Sequence, residues 1–416
     1  MLKFLQGRMV FVRITMLITA ILLVAIGIAS IYSVSAPLES SSADQKSDLG
    51  GFWKKQVVFA VVGFLGFLAA NFINYRKLGE WSYWIFGCTV ALLVVVLAGK
   101  YINLPFVPLI NGTHRWIRFE VAGRTLPAIQ PSEFCKLTYI LALAWYLRYR
   151  SNYRHFNSLI GPFALTLLPM VLILLEPDLG TVMLMMPILF TLLFVAGARV
   201  KHLLLIILLA VMVSPLLWGH MNPYQRRRIS SMLLQSEWVQ DKAEQNPKLG
   251  NILVGQKFTK KQWRTDWGYH LIRSKYAIAS GGLKGYGFRR GPFIKYDFLP
   301  ESYNDFIFAT ISHQWGFLGC LVLLALYIVI VACGLEIAWN NIDPFARLLG
   351  LGIVAMFIVE VLINVSMTLG LMPITGLTLP LVSYGGSSLL VNMSAVGLLN
   401  NIGRRRTFTV APKSFE

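Results

Sequence analysis

The chain has 416 residues, 56% of them hydrophobic and only 14% charged, against roughly 25% charged in globular domains. Apolar runs of span length recur along it, which excludes a soluble enzyme, a disordered chain and a disulfide scaffold. Lys and Arg number 38 against 19 Asp and Glu, a formal charge of +19; in a membrane protein that excess speaks of topology and anionic headgroups before nucleic acid.

Lys3, Arg8 and Arg13 precede the first apolar run. That run is span-length and lacks an A-x-A site, so it reads as a retained helix and not a cleaved signal peptide. Ten spans are predicted, at 14–35, 56–73, 82–98, 130–147, 158–175, 180–197, 203–219, 305–333, 346–370 and 384–400. The expected fold is an all-α polytopic membrane protein, a single integral domain over 1–416. An even number of spans puts both termini on one side. The segments on that side carry 15 Lys and Arg and the opposite short loops 7, so the positive-inside rule places both termini in the cytoplasm. The loop at 220–304, between spans seven and eight, is then extracytoplasmic. It holds 15 Lys and Arg, but loops of this length cross largely regardless of charge. No repeat pairs the two halves, which weighs against an inverted-repeat transporter.

Charges within or beside spans are costly and mark candidate functional groups. In Gln130-Pro-Ser-Glu-Phe-Cys-Lys136, Pro131 suits a first helical position, and Glu133 and Lys136 share a helical face. They form either a structural ion pair or the lining of a polar cavity. In Glu176-Pro-Asp-Leu-Gly-Thr181 a tight turn is expected, with Asp178 capping the next helix; its two carboxylates are also suited to holding a cationic segment. Tyr224-Gln-Arg-Arg-Arg228 opens the large loop, where guanidinium forks match lipid phosphates or a pyrophosphate. Further along lie an amphipathic piece from Tyr269 that carries Lys275, then a glycine-rich bend, Ser280–Gly287. Asp305, at the end of Leu299-Pro-Glu-Ser-Tyr-Asn-Asp, either caps the eighth span or presents a carboxylate at the membrane surface as a base or metal ligand. The stretch Met372–Ser388, with Ser383 and Gly385, is irregular backbone at membrane depth and must be buried in protein or line a cavity.

Three features carry no site. Cys88, Cys135, Cys320 and Cys333 lie in apolar stretches, with no CxxC or Cys/His cluster. The glycines at 282, 285 and 287 do not follow a strand, so no nucleotide site is read there. Asn111-Gly-Thr113 matches a glycosylation acceptor only by pattern.

Taken together the motifs resemble the SEDS family of bacterial cell-wall polymerases. The likeness rests on Arg115-Trp, Gln130-Pro-Ser-Glu…Lys136, Glu176-Pro-Asp-Leu-Gly-Thr, Leu299-Pro-Glu…Asp305-Phe-Ile-Phe-Ala and Pro380-Leu-Val-Ser-Tyr-Gly-Gly-Ser. Asn222-Pro-Tyr-Gln-Arg-Arg-Arg and Gly268-Tyr-His…Gly-Gly-Leu-Lys-Gly look more like the elongation (RodA-like) branch, and Gly376-Leu-Thr-Leu-Pro leans to the division (FtsW-like) branch. Elongation type is the favoured reading. The chain departs from the family pattern at Arg118, where an Asp often stands, and at Tyr303-Asn304 in place of His-Thr. It departs again at His313-Gln314 in place of Glu-Glu, and in a long Lys-rich segment at 235–267.

The resemblance implies a ten-helix SEDS-type fold and an inverting peptidoglycan glycosyltransferase. Such an enzyme polymerises lipid II on the outer face of the bacterial cytoplasmic membrane and supports elongation and cell shape, or division. It implies Asp305 as catalytic base, with a possible second role as ligand of a divalent cation, Mg²⁺ or Mn²⁺. Arg115, Arg226, Arg228 and Lys275 are the expected pyrophosphate contacts. Glu133, Lys136, Glu176, Asp178, Ser383 and Gly385 are the residues expected to structure the cavity. The implied partners are polyprenyl-pyrophosphate-linked glycan, a class B penicillin-binding protein and elongation or division proteins, with no nucleic acid. The rival reading is a lipid-linked precursor flippase, which needs access from both faces. A third makes the chain a scaffold for its transpeptidase.

Overall fold

The structure, a computed structural model, describes residues 2–35, 51–102, 104–110, 113–121, 124–125, 127–149, 156–296 and 298–405. The tripeptide asparagine at 111, most of the first loop, Asp297 and Arg406 lie outside them. A backbone surrounded by hydrocarbon must satisfy its own hydrogen bonds, so long apolar segments become helices. Each of the ten predicted segments falls on one: α1 (Leu2–Ser35), α2 (Phe52–Phe72), α3 (Ser82–Ala98), α4 (Pro131–Leu147), α5 (Ile160–Leu175), α6 (Leu179–Val195), α7 (Val200–His220), then α12 (Ile307–Trp339), α13 (Pro344–Leu369) and α14 (Gly386–Arg404). Five of the helical stretches among the described residues are long and apolar enough to cross a membrane by length and composition. These are Gly7–Ser35 of α1, α2, Asn157–Leu175 (α5 with the turn before it), α12 and α13, while α3, α6 and the stretch Val200–Leu216 of α7 are apolar but shorter.

The helix ends follow their sequence signals. Pro131 and Pro344 occupy first-turn positions, where the missing amide costs nothing. Asp343 caps α13 by accepting from the Phe345 amide at 3.1 Å. α13 is the central helix: 72% of its apolar window is buried, against 22% for α2. Against the closely packed α14, α2 presents Gly63 and Gly66. A methyl on Gly66 would strike Leu390 and Ser394, so small residues set this approach.

The long loop is helical rather than extended. α8 (Pro223–Leu233), α9 (Glu237–Gln245), α10 (Pro247–Val254) and α11 (Tyr269–Gly281) follow one another, so the Lys-rich segment is folded. These helices share a small apolar core that includes Leu234, Val254, Phe258, Trp263 and Leu271, and that closes on Phe306 and Ile374. The loop is thereby fixed to the start of α12. A two-stranded antiparallel pair, Glu120–Val121 with Arg124–Thr125, lies before α4.

The glycine-rich bend after α11 meets a break in α12. Gly316 has φ +62°, a left-handed value that interrupts the helix. The Tyr286 and Gly287 amides donate to the His313 and Gln314 carbonyls at 3.1 and 2.9 Å, and the Phe317 and Leu318 amides donate to the Gly282 and Leu283 carbonyls at 2.9 and 3.2 Å. The bend thus supplies bonds that the broken helix cannot make for itself. A Cβ on Gly285 would fall on the Gln314 carbonyl.

Candidate active site

The motifs separated in sequence converge where α4, α6, α8, α12 and the 372–385 stretch meet. The Gln130 amide donates to Ser387 Oγ at 3.1 Å, and Ser132 Oγ donates to Asp178 Oδ2 at 2.9 Å. Asp178 also accepts from the Thr181 hydroxyl at 3.0 Å and caps α6 through the Thr181 amide. A Cβ on Gly180 would strike Leu377 and the Thr375 carbonyl, so the Glu176–Thr181 turn lies directly on that stretch. Ser383 Oγ donates to the Asn304 carbonyl and accepts from the Leu379 amide, both at 2.8 Å. Asn364 Nδ2 donates to the carbonyls of Asp305 and Leu377, at 3.0 and 2.7 Å. Main chain on both sides of Asp305 is therefore held by buried polar side chains.

Asp305 does not cap α12; that position falls to Phe306, with no side-chain bond. Its carboxylate faces Arg228 across Gly376. A Cβ on Gly376 would lie 3.1 Å from Arg228 Nη1 and 3.3 Å from Asp305 Oδ2. Gly376 has φ +76°, so glycine both permits the turn and leaves the gap open. Arg228 Nη1 donates to the Thr375 carbonyl at 3.0 Å, and its guanidinium lies 4.7 Å from the Tyr224 ring centroid. Burial pushes the Asp305 carboxyl up to about 6. Arg228 pulls it down, Glu301 and Asp178 push it up, and Arg115 opposes them. A carboxylate titrating near 6 is suited to accepting a proton near neutral pH.

The other expected contacts are spread. Arg115 Nε donates to the Glu176 carbonyl at 2.7 Å and its Nη2 to the Pro177 carbonyl, so the turn holds the arginine by main chain. The Glu176 carboxyl itself has no hydrogen-bond partner. Burial pushes it up to about 9, Asp178 adding and Arg115 opposing, so it is neutral at pH 7. It borders a cavity of about 70 Å³ shared with Lys100 and His114, room enough for water. Arg226 donates to the Met221 and Gly219 carbonyls at 3.0 and 2.7 Å, at the end of α7. Residues two apart on a helix face different ways, and α8 directs Arg228 to Asp305 and Arg226 to that helix end. Lys275 is exposed and donates to Gln235 Oε1 at 3.0 Å. Gly385 donates its amide to Gln56 Oε1 at 3.3 Å.

Glu133 and Lys136 form the expected pair at 2.7 Å, deep in the bundle. Lys136 also meets Glu360 of α13 at 2.6 Å, with both side chains 1% exposed. Glu360 is a partner that the sequence reading passes over. Its signal is a polar row in an apolar span, since Glu360, Asn364 and Thr368 recur every four residues and all are buried. Gln56 is a second omission: it donates to the Ser383 carbonyl at 3.1 Å.

The residues around Asp305 do not fit a resident metal ion. Among the described residues no three His, Cys, Asp or Glu gather as a ligand set, and Arg228 and Arg115 act on Asp305 with repulsive charge toward a cation.

Residues 13–407 match the cell cycle protein family FtsW/RodA/SpoVE. The chain is 31% identical to the peptidoglycan glycosyltransferase RodA of Treponema pallidum, covering 94% of this chain and 97% of that one. It is likewise 31% identical to a probable peptidoglycan glycosyltransferase FtsW of Trichlorobacter lovleyi, over 94% and 92%. Its fold resembles a solved chain described under "structural coordination of polymerization and crosslinking by a peptidoglycan synthase complex", with TM-score 0.70, 28% identity, and 94% and 96% of the two chains covered. The match spans the whole bundle and every motif that meets at Asp305, and the chain belongs to the FtsW/RodA/SpoVE family.

Proposed function

We propose that the chain is a peptidoglycan glycosyltransferase that polymerises lipid II into glycan strands. The observation that carries the reading is the gap at Gly376, with a carboxylate on one side and a guanidinium on the other. In one inverting displacement the acceptor hydroxyl gives its proton to Asp305 as its oxygen bonds to the anomeric carbon. The bond from that carbon to the pyrophosphate breaks, and the pyrophosphate leaves as an anion. Arg228 stabilises the departing charge, with Arg115 behind it. A pyrophosphate is a good leaving group, so positive charge matters more than a general acid. Glu133, Lys136, Glu176, Asp178, Ser383 and Gly385 hold the walls. Lys275 and Arg226 stand farther off, with roles in drawing anionic substrate toward the loop. A divalent ion arriving with the pyrophosphate would take its ligands mainly from phosphate oxygens.

The reading includes ten spans, both termini in the cytoplasm, and the 220–304 loop outside as part of one integral domain. The charge tally supports this orientation. The similarity to a chain from a complex of polymerisation and crosslinking supports a class B penicillin-binding protein as partner. Relatives of both branch names match at equal identity; the residues at 222–228 and 268–285 favour elongation.

The test is polymerisation of purified lipid II, with and without partner and divalent ion. Asp305→Asn is expected to abolish glycan product while the protein still inserts and binds its partner. Full polymer yield from that variant would remove Asp305 as the base. Lipid translocation without product by the wild type would point to the flippase.

A further inference from the structure

Three aromatic side chains gather on the main chain that carries Asp305. Phe52, the first residue of α2, stacks on Tyr303 with centroids 4.7 Å apart and planes at 17°. Tyr384 stands edge-on to both, at 5.2 Å and 80° from Phe52 and 5.8 Å and 83° from Tyr303. The Tyr384 amide donates to the Tyr303 carbonyl at 3.0 Å. Gln56, one turn into α2, ties Phe52's helix to Ser383 and Gly385, while Ser383 holds Asn304. The rings are therefore fixed relative to Asp305, two residues beyond Tyr303 and one beyond Asn304. All three keep part of their surface open.

Rings wanted only for lipid tails need no polar setting. These lie beside the polar main chain of 303–305 and 383–385, and the exposed Lys55 stands 5.8 Å from the Phe52 centroid. Rigid aromatic faces carry partial negative charge. The C–H faces of a pyranose are their natural complement, and hydroxyls at the ring edge are met by neighbouring polar groups. Tyr303 stands at a departure from the resembled pattern, whereas Tyr384 lies within the Pro380–Ser387 motif that carries the resemblance.

We propose that Phe52, Tyr303 and Tyr384 form a saccharide subsite that holds a pyranose ring of the glycan beside Asp305. The subsite rests on the glycosyltransferase reading for its place in the reaction, since it positions the strand next to the base.

The full-length protein in detergent is probed with the soluble tetrasaccharide of N-acetylglucosamine, which has neither lipid nor pyrophosphate. Saturation-transfer NMR is expected to label its ring protons. Tyr303→Leu and Phe52→Leu are expected to weaken binding by about fivefold, the scale of one lost aromatic contact, while Tyr303→Phe keeps it. With lipid II, Tyr303→Leu is expected to give shorter strands. Equal binding by the wild type and both Leu variants, each confirmed folded by its melting curve, overturns the subsite. Unchanged strand length in Tyr303→Leu overturns its placement at the growing strand. Polymer formation without differential binding defeats the subsite alone. Differential binding with no polymer from the wild type and its partner defeats the polymerase reading and leaves the subsite standing.

Discussion

Lys136→Met probes the charge arrangement at the heart of the bundle. The ammonium lies 2.7 Å from Glu133 and 2.6 Å from Glu360, and none of the three side chains is more than 7% exposed. One cation thus serves two carboxylates. Removing it strands both acids in an apolar surround, and breaking a buried pair in this way costs about 3–5 kcal/mol. Glu360→Gln differs in kind. It keeps shape and hydrogen bonding, leaves Lys136 and Glu133 as a neutral pair, and exchanges an ammonium–carboxylate bond for an ammonium–amide one, at about 1 kcal/mol. The double variant Lys136→Met/Glu360→Gln should recover part of the loss, because one of the two stranded charges is gone. Buried free cysteines at 135, 320 and 333 make thermal unfolding readable with a thiol-reactive dye, Cys88 giving the exposed baseline. The expected order of melting temperatures is wild type, Glu360→Gln, the double variant, then Lys136→Met. A Lys136→Met protein that melts within about a degree of wild type, or a Glu360→Gln protein that falls as far, would refute the argument.

Polymerisation should depend on pH through Asp305. The base works only when ionised and titrates near 6, so the rate should fall about tenfold per unit below that value and level off above it. Arg228→Gln removes a charge that favours the ionised form, and should move the acid limb to higher pH; a limb that stays in place would detach Arg228 from Asp305. Gly376→Ala places a methyl group between Arg228 and Asp305 and adds left-handed strain of about 1 kcal/mol. It should cost at least about tenfold in polymerisation with only a small shift in melting; activity near wild type would show that the gap is not where chemistry occurs.

The legibility of the site follows the cost of charge in an apolar setting. Glu133, Lys136, Asp178 and Asp305 stand out because each interrupts or borders a hydrophobic run, and the structure places all four on the bundle's polar interior or its edge. Glu360 obeys the same rule, yet its partner is 224 residues away and no local pattern joins them. Arg226 and Arg228 are alike in sequence, and only the helical geometry of α8 separates their directions. The long loop reads as amphipathic pieces, but its core forms by meeting Phe306 and Ile374, contacts that periodicity does not reveal. The glycine-rich bend is visible as a bend; its purpose depends on Gly316, a single glycine inside an apparently continuous span.

That exchange of main-chain bonds between the bend and α12 bears on how the protein can be rebuilt. Four hydrogen bonds cross the break. Detaching the loop leaves the carbonyls of buried His313 and Gln314 and the amides of Phe317 and Leu318 without these partners, at about 1–3 kcal/mol for each group kept from water. The loop is therefore no detachable module: a chimera that grafts it from a relative must bring the break in α12 with it. Its tolerant positions for tags or insertions are to be sought among the exposed residues of α9, remote in the chain from the 282–287 splice.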